Sequence, residues 1–199
     1  MTKLLTKRDK ATHERRKHIL EAATACFVEK GFHQTGMREI AKRANVSLGN
    51  LYNHFPGKHD LLVAFADQEI VVTEPFIALL ERDVPAQEGL KDFIKSYCKG
   101  CSDQEAAILF LDIAAEAMRQ PDIAKRFLKV RENLAVALSS LIASGVVGNK
   151  FSLTISNFDM ANLILDLIES AAVRGAIEGI SPRELTPRIE AMVFAALRN

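Results

Sequence analysis

Residues 44 to 62, "ANVSLGNLYNHFPGKHDLL", carry side chains better suited to meeting a partner than to filling a core. Ser47, Asn50, Asn53 and His54 are polar, and Gly49 sits among them, where glycine costs about 1 kcal/mol relative to alanine inside a helix. The major groove of duplex DNA accounts for that mixture. Gly49 lets the backbone approach closely, Asn50 can pair with a base edge, and Tyr52 and His54 can reach phosphates. Thr35 and Lys58, each at a predicted helix start, sit where exposed amides and the helix dipole attract phosphate.

Three elements must position those groups. Over residues 11 to 30, Ile19, Ala22, Ala23, Cys26 and Phe27 recur at helical spacing, and Gly31 supplies a C-terminal cap. Thr35 is read as the cap of a second helix, residues 36 to 44, with an apolar stripe of Met37, Ile40, Ala41 and Ala44. Asn45 tolerates the left-handed turn, Val46 is the buried pivot, and Ser47 caps a third helix whose Leu51 and Phe55 join Ile40 and Phe27. The pattern is helix, short turn, helix. Lys58 opens a long fourth helix in which Pro75 is expected to make a kink or an end.

Charge agrees with a polyanion partner. Residues 1 to 60 hold 12 Lys+Arg against 6 Asp+Glu, whereas the remainder holds 14 against 19, although the whole chain is only +1. Residues 1 to 10 form a basic tail. Such asymmetry suits nucleic acid or an anionic membrane surface. No apolar stretch of secretory length follows the tail, and the longest apolar run, residues 106 to 111, is too short to span a bilayer. The expected location is the cytoplasm, with no membrane partner. Three cysteines argue against a disulfide framework.

The run "RRKHILEAATACFVEKGFHQTGMREIAKRANVSLGNLYNHFPGKHDLL", residues 15 to 62, resembles the N-terminal pattern of the TetR family of bacterial transcription regulators, most specifically in "VS.G.LY.HF..K..LL". The resemblance implies an all-α protein: a helix-turn-helix DNA-binding domain over residues 1–57 and a helical ligand-binding and dimerisation domain over 58–199. It also implies that Thr35, Arg38, Ser47, Leu48, Gly49, Asn50, Tyr52, His54 and Lys58 occupy the family's DNA-contact positions. Three positions depart from the pattern. Asn45 replaces the usual turn glycine, apolar Leu48 faces the bases and suits a thymine methyl, and His59 stands where an acidic residue is common.

Beyond residue 80 the chain reads as helical over 86–100, 103–119, 121–144, 157–179 and 186–198. Ile164, Ile168, Ala171, Gly175 and Gly179, with Ile189, Met192 and Val193, make a wide apolar surface that reads either as a homodimer interface or as intramolecular core. An effector cavity drawn from residues 86 to 174 has Tyr97, Phe110, Ile113, Phe127 and Phe158 as walls, and Glu116, Arg131 and Glu169 as polar groups. The expected function is a repressor released from a palindromic operator by a small molecule. The alternative rests on "YCKGC": Cys98 and Cys101 have the spacing of a thiol redox pair. All five histidines lie in the first 60 residues, away from these thiols, so a Cys/His metal site lacks partners. No phosphate-binding glycine loop, HExxH or GxSxG motif is present, so neither an enzyme nor a cofactor is expected.

Overall fold

Thr6 starts the first helix, ahead of the residue 11 that apolar periodicity predicts. Its hydroxyl accepts from the Asp9 N–H at 3.2 Å while the Asp9 carboxylate accepts from the Thr6 N–H at 3.0 Å, and this capping box brings a polar segment into the helix. The structure, a computed structural model, describes residues 6–198, so residues 1–5 of the basic tail lie outside it. Among the described residues the elements are α1 (Lys7–Lys30), α2 (Met37–Arg43), α3 (Leu48–His54), α4 (Lys58–Leu80), α5 (Ala86–Cys101), α6 (Gln104–Ala117), α7 (Pro121–Val147), α8 (Asn157–Glu178) and α9 (Pro182–Ala196). The fold is all-α; β pairing among these residues is limited to an isolated bridge between Ser152 and Arg198.

The N-terminal core forms where the apolar stripes of α1, α2, α3 and α4 meet. Ile19, Ala23, Phe27, Ile40, Leu51, Phe55, Leu61 and Leu62 are buried there, and Phe27 meets Phe32 and Phe65 edge-on. Asn45 takes the left-handed conformation at φ 49°, as the turn requires. Ile113 of α6 and Ile123 of α7 complete the same core, so the DNA-binding unit is packed onto the C-terminal helices rather than tethered to them.

Several element bounds differ from expectation for local reasons. α2 is capped by the Gly36 backbone and not by Thr35. α4 runs through Pro75 to Leu80, because Phe76, Ile77 and Leu80 are held against the C-terminal core on the far side of the proline. α9 begins at Pro182, where Ser181 and Glu184 form a capping box.

The wide apolar surface of α8 proves to be intramolecular. Ile164, Ile168, Ala171, Gly175, Ile189 and Val193 are all buried within the single chain, packed with Phe93, Ile94, Leu134, Leu138 and Ile142. Of the eight residues expected at a dimer interface, only Gly179 and Met192 are exposed. The reason lies in the small-residue step itself: a Cβ on Gly175 would stand 3.4 Å from Leu185, so the step lets α9 lie close against α8 of its own chain. Gly179 serves a different end, closing α8 in the left-handed conformation at φ 71°.

By length and composition α7 is apolar enough to cross a membrane, contrary to the reading from short apolar runs. It is instead surrounded by α4, α5, α6 and α8, and its apolar face is spent on the core. α7 also continues through Gly145, where a loop is expected. A Cβ on that glycine would lie 2.1 Å from the Phe151 ring, so the position is reserved for the aromatic side chain. Gly145→Ala is therefore expected to displace Phe151 and to destabilise the protein by about 1 to 3 kcal/mol, despite alanine's better helix propensity. Urea denaturation measures the balance, and an unchanged or raised midpoint refutes the overpacking account.

Candidate nucleic-acid interface and adjoining cavity

α3 has only about two turns of helix to present to a partner, so its placement depends on its neighbours. The Ser47 hydroxyl accepts from the Asn50 N–H at 3.1 Å and fixes the start. At the other end an Arg16 guanidinium Nη1 from α1 donates to the His54 carbonyl at 2.6 Å, and its carbon lies 4.2 Å from the centre of the Phe55 ring. His18, also on α1, reaches the Ala44 carbonyl at 3.0 Å and closes α2. Ion pairs Lys30–Glu39 and Arg43–Glu29 further join α1 to α2. α1 is thus a clamp for both helices of the motif. Sequence reading missed Arg16 and His18; the signal was the basic run 15–18 directly ahead of the apolar stripe.

Arg38, Ser47, Gly49, Tyr52 and Asn53 are exposed on the outer side, with Arg15, Lys17 and Lys42 nearby in the same unit. Nothing lies within 4 Å of a Cβ built on Gly49, which leaves the backbone open to a close approach. Leu48 is half-buried and packs partly against the N-terminal core, so only part of it remains for a base methyl. Asn50 is half-buried too, and its Oδ1 is buried without a hydrogen-bond partner in the unbound protein. Burial first, and then the charges of Arg16 and Arg15, hold the His54 imidazole below its usual pKa.

Two expected contact residues point inward. Thr35 is 2% exposed, and its hydroxyl donates to the Cys26 and Gly31 carbonyls at 3.1 and 3.0 Å, fastening the α1–α2 turn. The Lys58 ammonium donates to the Phe32 and His33 carbonyls at 2.6 and 3.2 Å and lies 4.4 Å from the centre of the Phe32 ring. Their side chains hold the turn, and only backbone amides remain there for a phosphate.

His59, whose role the sequence left open, bonds Gln120 through Nδ1 and Asp122 through Nε2 at 2.8 Å. On the same side of the unit the Phe32 N–H donates to Asp112 at 3.0 Å, and His33 Nε2 lies 3.0 Å from Glu116. Glu116 is 5% exposed and also accepts from Arg119 and Gln120. It therefore seats the DNA-binding unit on α6 and does not face an effector.

Residues 19–65 match the family model described as bacterial regulatory proteins, tetR family. They span α2, α3 and the parts of α1 and α4 that form the N-terminal core, and begin just after the clamp residues Arg16 and His18. The DNA-binding unit is that of the TetR family of transcriptional regulators. Across the whole length it is similar to the regulator RutR of Escherichia coli O157:H7, at 28% identity over 97% of this chain and 85% of that one. Among solved structures, Salmonella enterica GusR superposes with a TM-score of 0.76 at 24% identity, covering 98% of this chain and 99% of GusR. FadR from Bacillus subtilis, solved in complex with stearoyl-CoA, gives 0.77 at 18% identity over 92% and 99%. RutR and FadR are described as transcriptional regulators, and this chain carries the family's DNA-binding helix-turn-helix in α2 and α3.

The protein also has a partly open cavity of about 160 Å³ between α4, α5, α6, α7 and α8. Tyr97, Phe110, Ile113, Phe127, Arg131 and Glu169 line it as the sequence suggests. Phe158 does not: it is 42% exposed beside a surface groove with Leu128 and Asn162. Ala66, Glu69, Thr73 and Phe76 of α4 were missed, although their spacing puts a lone carboxylate on a largely apolar helix face. At the wall the Tyr97 hydroxyl donates to Glu169 at 2.8 Å, and Arg131 Nε donates to Glu169 at 3.3 Å. Burial still holds the Glu169 carboxyl above its ordinary pKa, against the pull of Arg131.

The cysteine pair occupies the last turn of α5, as its spacing suggests. Cys98 is buried, and Cys101 lines the cavity with its thiol pushed up to about 12, first by burial and then by the Glu169 charge. A thiol held protonated is a weak nucleophile, so Cys101 lacks the activation that a redox switch needs. Among the described residues no group of three His, Cys, Asp or Glu side chains could hold a metal ion.

Clamp and contact residues separate experimentally. Arg16→Ala is expected to cost about 1 to 3 kcal/mol of stability, by removing a charged donor from the His54 carbonyl, and to weaken all duplexes alike. Arg38→Ala is expected to weaken duplex binding while leaving the denaturation midpoint unchanged, since Arg38 is exposed. Urea titration beside fluorescence anisotropy checks both, and a stable Arg16→Ala with full affinity refutes the clamp.

Proposed function

We propose that the protein is a repressor that binds a pseudo-palindromic operator as a homodimer and is released when a small molecule fills the cavity. The observation carrying this reading is the double service of Ile113, which is part of the N-terminal core and also lines the cavity. Its neighbours on α6, Asp112 and Glu116, hold Phe32 and His33 of the DNA-binding unit. A ligand that displaces Ile113 therefore shifts the seat of that unit and changes the spacing of two α3 helices in a dimer. Release follows only if the ligand favours the non-binding spacing, because equal affinity for both states shifts nothing. That the fold accepts small molecules is supported by FadR with its stearoyl-CoA, although a cavity of about 160 Å³ suits a much smaller effector here.

With the original dimer surface buried, the outward faces of α8 and α9 remain for a second copy. Leu163, Ile177 and Met192 are exposed there at 55, 80 and 59%. Exposed large apolar residues on two adjacent helices fit a helical interface better than solvent. Each subunit then places residues 47–54 in one major groove.

This reading has a salt signature. With Thr35 and Lys58 side chains turned inward, about three phosphate contacts per subunit remain, and the slope of log K against log salt is expected near −5 for the dimer. Leu163→Asp combined with Met192→Asp is expected to yield monomers by light scattering and to lower operator affinity steeply. Salt-independent affinity, or undiminished operator binding by a monomer, refutes the proposal.

The coupling can be tested apart from binding. Asp112→Asn with Glu116→Gln removes two carboxylate charges from the seat, and effector binding measured by calorimetry is expected to persist while operator release is blunted. Full release in that variant rules out transmission through α6.

A further inference from the structure

We propose that the effector is a small organic cation, an ammonium group joined to one aromatic or branched apolar body, with Glu69 as its counter-ion. The inference rests on the effector-released reading above and names the chemistry of that ligand. Its basis is a charge left unmatched in the cavity wall. Glu69 lines the cavity half-buried; among the described residues its carboxylate accepts no hydrogen bond and forms no ion pair, and its oxygens reach only the solvent at the open side of the pocket. The one cation of the wall is already committed: Arg131 reaches Glu169, Asp166, and both the side chain and carbonyl of Asn162. The acidic and basic side chains of the lining are thus Glu69, Glu169 and Arg131, a net charge of −1 when all are ionised, in a space that is otherwise largely apolar.

A carboxylate with no partner in such a space is disfavoured, and burial accordingly raises Glu69 above the ordinary carboxylate range. A bound ammonium removes that penalty by supplying both charge and donors, whereas a bound carboxylate adds a second anion beside the first. The remaining walls fit the same ligand. Phe76 meets Tyr97 edge-on at 5.2 Å, and Phe110 lies 5.5 Å from Phe127, so two aromatic pairs border the space and can take either the cation's face contacts or its apolar body. The volume sets the size. A cavity of about 150 Å³ accommodates benzene, so about 160 Å³ leaves room for one ring with a short arm.

The test is a charge series on one body: 2-phenylethylamine, 2-phenylethanol and phenylacetate, with isopentylamine, isopentanol and isovalerate as an aliphatic set. Each is titrated by calorimetry into the full-length wild type and into Glu69→Gln. The expected result is that at least one amine binds wild type about ten- to a hundredfold more tightly than its alcohol and its carboxylate. Glu69→Gln is expected to remove that preference while keeping the affinity for the alcohol. Equal or tighter binding of an alcohol or carboxylate, an amine preference that survives Glu69→Gln, or binding of no member overturns the proposal. The wild-type series decides the matter if Glu69→Gln does not fold. Operator release is measured in parallel with every ligand that binds. Release by a carboxylate or alcohol retains the effector-released reading and sinks the cation alone, whereas tight amine binding without release retains the cation and sinks release.

Discussion

The contact between α6 and the DNA-binding unit governs how the rest of this molecule can work. α6 presents Asp112 and Glu116 to Phe32 and His33 on one side, and Ala106, Ala107, Phe110 and Ile113 to the cavity. Hydrogen-bonded carboxylates are sensitive to position, and a buried isoleucine in a close-packed core cannot move without displacing its neighbours. The two sides of one fourteen-residue helix are therefore mechanically joined. His59, reaching from the start of α4 to Gln120 and Asp122, adds a second fastening at the following turn.

Above that seat, the DNA-facing surface is built by indirect means. A seven-residue helix such as α3 makes few backbone hydrogen bonds of its own, so isolated it would be marginal. Its stability comes from Leu51 and Phe55 inside, from the Ser47 cap, and from Arg16 at its C-terminal carbonyl. Basic residues here divide into two trades. Arg16, His18 and Lys58 serve carbonyl groups of the protein itself, while Arg15, Lys17, Arg38 and Lys42 remain exposed. A count of positive charge therefore overstates what is free to meet phosphate.

Below the seat, the cavity shows why polar residues in an apolar helix face repay attention. Glu69 follows Ala66 by three residues and precedes Thr73 and Phe76 by four and seven, so all four share a face. Glutamate there can only be matched by another element or by a ligand. Arg131, the nearest candidate within the wall, is engaged by Glu169, Asp166 and Asn162. Cys101, near these carboxylates, has its thiol pushed up by burial and by negative charge, which disfavours the thiolate that redox chemistry at a C-x-x-C spacing needs.

The sequence by itself determined the helical class, the helix-turn-helix and its turn, because those depend on local spacing, capping and the left-handed tolerance of Asn45. It also placed six of the cavity-lining residues, since aromatic and apolar positions on one helix face must bury somewhere. What tertiary structure alone decided was direction and partnership. Thr35 and Lys58 have the right chemistry for phosphate yet turn inward, because carbonyls of the α1–α2 turn lie within reach. Ile164, Ile168 and Gly175 have the pattern of an interface, yet the two isoleucines are buried in the chain's own core and Gly175 is closed by Leu185 of α9. Periodicity tells which face is apolar but not which neighbour covers it, and that choice is made only when distant segments compete for the same surface.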